Sequence, residues 1–318
     1  MRIIKETHID FMRQRKITLI LSSLIILSGL GSLVMNGGPK LSIDFKGGTM
    51  VSVQYLEPVE ISEVRNALGD FNLDGQIFDF SREELKYFGS KSAISVRVPH
   101  IEGSPANFGQ KIADHLYDSF LEKVPTDKAS FILYKGSVGP KIGSELSGKA
   151  LMAIISALGL ILVYISIRFE FRFAIGAIAA LTHDVFITLG LFSLLGYEIS
   201  LPIIAAFLTI VGYSLNDTIV IFDRIRENLK VLKRETYTKI INQSINESLS
   251  RTIVTSLTTF VVVMVLWLFG GEVIHNFALA MIIGVIVGTY SSIFVATPIL
   301  NYTKVSQKTI VKEDSENN

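Results

Sequence analysis

Cysteine is absent from the 318 residues, which excludes disulfides, thiol nucleophiles and thiolate-held metals while leaving the compartment open. Histidine is scarce. The five, at positions 8, 100, 115, 183 and 275, show no ligand spacing, so neither a metal nor a cofactor is expected. No charge of one sign predominates either, since 30 Lys and Arg stand against 29 Asp and Glu. The net charge of +1 provides no global field to recruit nucleic acid or an acidic substrate. What remains is apolar: 49% of the residues are hydrophobic and 19% charged. The mean hydropathy of +0.46 is too high for a water-soluble chain of this length.

Crossing about 30 Å of hydrocarbon takes roughly 20 mostly apolar residues. Six runs qualify: Ile17 to Met35, Ala150 to Ile167, Phe173 to Phe192, Leu201 to Phe222, Thr252 to Phe269 and Phe277 to Leu300. The first is read as an uncleaved anchor, because Asn36-Gly37-Gly38-Pro39 is no small-residue cleavage site. Basic residues fix the expected orientation, since they collect on the cytoplasmic side. Arg2, Lys5, Arg13, Arg15 and Lys16 precede the first run, Arg168 and Arg172 separate the second from the third, and Lys304, Lys308 and Lys312 follow the sixth. The loops at Tyr197-Glu198 and Gly270-Gly271-Glu272 carry no Lys or Arg. Both termini (1–16 and 301–318) are therefore expected in the cytoplasm, with residues 36–148 on the outer face.

That long segment reads as a folded α+β domain. Apolar alternation predicts strands over Leu41 to Val53, Gln76 to Phe80, Ser92 to Val98 and Phe131 to Ser137. Helical spacing predicts Ile61 to Leu68 and Pro105 to Val124, the latter capped by Ser104. The order βαββαβ is that of a ferredoxin-like sandwich. Residues 149–300 hold the other five spans, interrupted by a basic loop over 223–250. That loop is expected to be helical and, through Ile225, Leu229 and Leu232, to lie on anionic lipid.

Ionisable side chains inside apolar spans carry the functional signal, because each costs about 2.5–3.5 kcal/mol at the bilayer centre. His183 and Asp184 sit midway along the third span. In the fourth, Thr209, Tyr213 and Asp217 share one face at four-residue spacing, with Asn216 beside Asp217. A further polar stripe, Thr252, Thr255, Ser256 and Thr259, follows Arg251. One reading sets the Asp217 carboxylate opposite a fixed Arg251 cation, so that proton uptake frees the arginine and couples to movement. A helix–helix hydrogen bond at Asp217, a topological arginine at 251 and a satisfied structural His183–Asp184 pair are the alternatives. Gly284 and Gly288, in register with Ala280 and Ser292, form a small-residue stripe for helix packing. Asp44-Phe45-Lys46-Gly47-Gly48-Thr49 opens the outer domain and lacks the spacing of a phosphate loop. It is read as a bulge or turn in the first strand.

These motifs together resemble the SecF family of protein-export membrane proteins, within the resistance-nodulation-division superfamily. The resemblance runs through Asp44 to Thr49, Val138-Gly139-Pro140, Asn216-Asp217-Thr218, the run Phe222 to Asn228, Leu249 to Thr252, and Gly284 to Ser292. It implies a half-sized membrane fold of six helices completed by SecD, in the bacterial inner membrane with the outer domain periplasmic. It implies work with SecD, the SecYEG channel, SecA and YajC, using the proton-motive force to promote preprotein translocation without covalent chemistry. It implies a coupling role for Asp217 and Arg251, and a hinge or stiff link at Asp44, Gly47 and Gly48. Without SecD, the Asp217 face is expected to lie open to lipid. A proton-coupled exporter of small molecules from the same superfamily is the rival, disfavoured because such chains carry both halves. An intramembrane aspartyl protease using Asp184 and Asp217 is a second, and lacks the Gly-x-Gly-Asp setting.

Overall fold

The computed structural model describes residues 7–73 and 75–303, which divide into two compact units: a helical unit of residues up to 40 and from 152, and an α+β unit of Leu41–Leu151. After a short 3₁₀ turn at Met12–Gln14, α1 spans Arg15–Met35.

The α+β unit opens with one helical turn, α2 (Ile43–Lys46), where the sequence suggested strand. Ser42 caps it by accepting the Asp44 amide at 3.2 Å. The chain then runs through β1 (Gly48–Gln54), α3 (Ile61–Ala67), β2 (Phe71–Leu73), β3 (Gln76–Phe78), β4 (Glu84–Phe88), β5 (Ser90–Val98), α4 (Phe108–Ser119), the turn α5 (Lys128–Phe131) and β6 (Ile132–Val138). Four strands form one antiparallel sheet in the order β4-β5-β1-β6. The parallel strands β1 and β4 flank β5, and the parallel strands β5 and β6 flank β1, so two split βαβ units interleave as in a ferredoxin-like fold. The second strand of that sheet is Glu84–Phe88; the segment expected to fill the position, Gln76 to Phe80, instead pairs with β2 as a separate hairpin. The second helix is shorter than its apolar period suggested, starting at Phe108 after Asn107 and ending before Phe120. Its Phe108, Ile112 and Leu116 are buried against Val51, Val53, Ile94 and Val96 of the sheet.

The remaining helices are α6 (Pro140–Arg168), α7 (Phe171–Leu195), α8 (Leu201–Val231), α9 (Tyr237–Phe269), α10 (Gly271–Ser291) and, after a π-helical turn at Ser292–Ala296, α11 (Thr297–Thr303). Pro298 explains the turn: it offers no amide to the Phe294 carbonyl and its ring would clash there. Six helices among the described residues are long and apolar enough to cross a membrane. Half or more of the α7, α8 and α10 spans is buried against 11–17% for α1, α6 and α9, so the first three make the inner layer.

The basic loop of 223–250 is the continuation of two membrane helices around a turn at Leu232–Thr236. Its apolar edge is occupied: Ile225 and Leu229 are buried with Ile240, Ile241 and Ile245 in the core of the helical unit. This removes the amphipathic ground for laying the segment on lipid.

Candidate functional site

Asp184 is fully buried on α7 and His183 nearly so, and side chains from α1, α8 and α10 converge on them. The imidazole Nδ1 stands 2.9 Å from Asp184 Oδ1, a contact that requires a proton on one of the two atoms. Ser214 of α8 and Ser291 of α10 donate to Asp184 Oδ2 at 2.5 and 2.8 Å. On the other side of the ring, Nε2 meets Ser22 Oγ of α1 at 3.0 Å. Ser22 in turn lies 2.9 Å from the Tyr290 hydroxyl, which donates to the Thr18 carbonyl at 2.8 Å. One unbroken hydrogen-bonded chain thus joins α1, α7, α8 and α10 within apolar surroundings.

Asp217 lies one turn along α8 from Ser214 and faces α9. Ser256 donates to its Oδ2 at 3.2 Å and Thr255 stands 3.4 Å from its Oδ1. Thr289 of α10 donates to Ser256 at 2.7 Å. Asp184 is therefore supplied by hydroxyls of α8 and α10 and Asp217 by hydroxyls of α9, while Thr289, two residues before Ser291 on α10, bonds to the Ser256 partner of Asp217. A hydroxyl can donate to a carboxylate or accept from a carboxylic acid, so one set of partners satisfies either protonation state.

The sequence placed these residues unevenly. Asp217 is only 2% exposed within the single chain, so its face is covered by α9 rather than left to lipid as expected. Asn216 and Arg251 point outward and are exposed, and neither forms an ion pair or hydrogen bond with Asp217 among the described residues. Thr209 is exposed and bonds back to the Ala205 carbonyl, and the buried Tyr213 hydroxyl has no partner among the described residues. Thr255 and Ser256 belong to the stripe read from the sequence, whereas Ser22, Ser214, Ser291 and Tyr290 escaped notice because they come from separate spans. Their only trace is a small polar residue in an otherwise apolar run, at Ser22, Ser214 and Ser291.

The packing glycines sit against α8: a Cβ on Gly284 would meet the Ile210 side chain, and one on Gly288 would meet Ser214. The Asp44 to Thr49 motif is closely packed within its own unit. Gly47 and Gly48 adopt φ of 75° and 127°, and a Cβ on Gly48 would stand 2.7 Å from the Val98 carbonyl oxygen. Phe45 and Thr49 are buried, and Thr49 Oγ1 lies 2.9 Å from Ser137 Oγ. Gly143, in the first turn of α6, lets that helix approach the Phe45 carbonyl, where a Cβ would come within 2.7 Å.

Residues 120–306 match the profile of the family described as "Protein export membrane protein SecD/SecF, C-terminal". The protein translocase subunit SecF of Calditerrivibrio nitroreducens is 42% identical over 95% of this chain and 96% of its own length. The chain belongs to the SecF family. The SecF of Rhodothermus marinus is similar at 43% identity over 94% of each chain. Among solved structures, SecDF of Thermus thermophilus, described as a translocon-associated membrane protein, superposes with a TM-score of 0.81 at 37% identity over 93% of this chain. SecDF in its super-membrane-facing form gives 0.64 at 36% identity over 98%. The chain spans 39% and 41% of those two SecDF chains, so it corresponds to part of them. A SecF-family chain is a multi-pass membrane subunit of a protein translocase, with SecD as its partner in that assembly.

Proposed function

We propose that this SecF-family subunit, completed by SecD, uses the proton-motive force to promote preprotein translocation after SecA and the SecYEG channel have begun it, with Asp217 as the coupling carboxylate. The observation that carries the reading is the burial of Asp217 in a membrane helix with hydroxyls as its hydrogen-bond partners. Such a site can hold or release a proton without rebuilding its surroundings. One charge crossing 100 mV is worth about 2.3 kcal/mol, enough to bias a two-state movement. Arg251 begins the apolar stretch of α9 one turn before Thr255, within reach of a rearranged site. His183 and Asp184 serve as a second proton-holding group. The site performs no covalent chemistry. The basic loops support an orientation with both termini cytoplasmic and the α+β unit on the outer face of the bacterial inner membrane. YajC belongs to the same proposed assembly.

The test is preprotein export into membrane vesicles with and without a proton gradient, comparing the natural chain with Asp217→Asn at equal abundance. Asparagine keeps the hydrogen-bonding shape and cannot exchange the proton. Loss of the gradient-stimulated part alone is expected; full retention of gradient stimulation overturns the assignment.

A further inference from the structure

Where α1 begins, a cavity of about 470 Å³ opens between the N-terminal segment and the start of α9, lined by Asp10, Arg13, Arg15, Thr236, Thr238 and Lys239 among others. Three cations meet there against one acid. Lys239 is held 2.9 Å from Glu235, but the guanidinium groups of Arg13 and Arg15 have no carboxylate partner among the described residues. Arg15 instead lies over the Tyr302 ring, 5.4 Å from its centre. Asp10 forms no ion pair with them among the described residues, its Oδ1 accepting from the Asn242 side-chain amide at 2.6 Å and the Arg13 backbone amide at 3.1 Å, and its single charge offsets only one of the two arginines. The cavity is thus a concave, net-positive site with two guanidinium groups that have no carboxylate partner among the described residues, suited to a phosphate oxyanion.

Its position narrows the ligand. Arg15 is the first residue of α1, and the apolar run starts two residues later at Ile17. Ile17, Ile20, Leu21 and Leu24 then present 52–71% of their surfaces outward along the helix. An occupant of the cavity would have an apolar track rising directly from its phosphate. A free phosphate would use the cavity and leave the track unused; a phospholipid would use both. We propose that this cavity binds the phosphodiester headgroup of an anionic phospholipid, with its acyl chains along α1. The proposal rests on the orientation given above, which puts α1's start at the anionic cytoplasmic leaflet.

The experiment uses the full chain with its membrane partner, in detergent, titrated with phosphatidylglycerol, with phosphatidylcholine of the same chains, or with inorganic phosphate, and followed by native mass spectrometry. Phosphatidylglycerol is expected to bind more tightly than phosphatidylcholine, and Arg13→Gln with Arg15→Gln to weaken it about 30-fold, the effect of two basic residues facing anionic lipid. Lys233→Gln with Arg234→Gln, whose side chains do not line the cavity, should leave the preference intact. Arg13→Gln alone, at an exposed residue, gives a readout if the double variant fails to fold. Equal binding of the two lipids, or an undiminished preference in the Arg13 and Arg15 variants, overturns the proposal. So does displacement of phosphatidylglycerol by millimolar inorganic phosphate with no contribution from the chains. If both pairs of substitutions weaken binding equally, the attraction is diffuse and no cavity site exists. None of these outcomes bears on Asp217, whose gradient dependence is read separately.

Discussion

Replacing Gly288 by alanine would place a methyl group where α10 crosses α8, and the distances fix what must give. The new Cβ would stand 2.9 Å from Ser214 Cβ and 3.3 Å from Ser214 Cα, against an ordinary contact of 3.4–4 Å. The shortfall at Ser214 Cβ is 0.5–1.1 Å, 3.4 or 4 less 2.9. No rotamer change moves Cα or Cβ, so the helices themselves must separate. Ser214 donates to Asp184 at 2.5 Å, and a retreat of that size along the bond stretches it to about 3.0–3.6 Å, at or past the limit of a hydrogen bond. Overpacking of this kind costs about 1–3 kcal/mol, roughly 5- to 150-fold in a two-state folding equilibrium. Unfolding of the full chain in phospholipid nanodiscs measures it, with gradient-stimulated export as the functional readout. Gly284→Ala is the internal comparison. Its three nearest neighbours all belong to the Ile210 side chain, so Ile210→Ala should restore much of the loss at 284 and none at 288. Unchanged unfolding and export in Gly288→Ala would refute the claimed close approach of α8 and α10.

The α+β unit offers two sharper tests. Tyr55→Phe should stabilise it, because the buried phenol hydroxyl has no partner among the described residues and its burial costs about 1–3 kcal/mol. Burial, followed by the charge of Glu63, also holds that phenol above its ordinary value of 10.0. A raised value means stability is complete below pH 10 and falls by about 1.4 kcal/mol per unit above it. Urea midpoints at rising pH should show this component in the natural chain and lack it in the variant. Gly48→Ala should destabilise the same unit by about 1–3 kcal/mol, since alanine is strained at φ 127° and its methyl would press on the Val98 carbonyl. Faster proteolysis within 41–151 is the expected sign.

The membrane helices were legible because water-soluble folds seldom contain an apolar run long enough to span lipid, and the structure lengthens them chiefly where polar turns continue a helix. Thus α8 and α9 run on through 231 and from 237, held together by Ile225 and Leu229 against Ile240, Ile241 and Ile245 and by the hydrogen bonds of Asn228 to Ser244 and Glu247. The misplaced strand has a similar cause. Glu84–Phe88 is an edge strand with only Leu85 buried, and its alternation is confined to Leu85 and Tyr87, set off by Glu84 and Lys86, whereas Ile77, Phe78 and Phe80 gave the neighbouring hairpin a louder signal. Asp184 and Asp217 stood out as charges in apolar runs. The partners of Asp217, Thr255 and Ser256, showed as a polar stripe, but Ser22, Ser214 and Ser291 did not stand out, because they are small, common in membrane helices and brought together only by tertiary packing.

The π turn after α10 sets a phase. It contains one residue more than an α-helical turn would hold, so the residues of α11 face one position out of step with the α-helical period of α10. Thr289 and Ser291 reach Ser256 and Asp184 above the turn, while Thr297 and Leu300 are buried below it. Removing a single residue from the regular turns on either side, where no wider turn absorbs the change, would barely change composition or hydropathy, yet would swing everything beyond it by about 100°. The alignment of the two hydroxyls with the inward face of α11 is therefore encoded in a residue count rather than in any residue's identity.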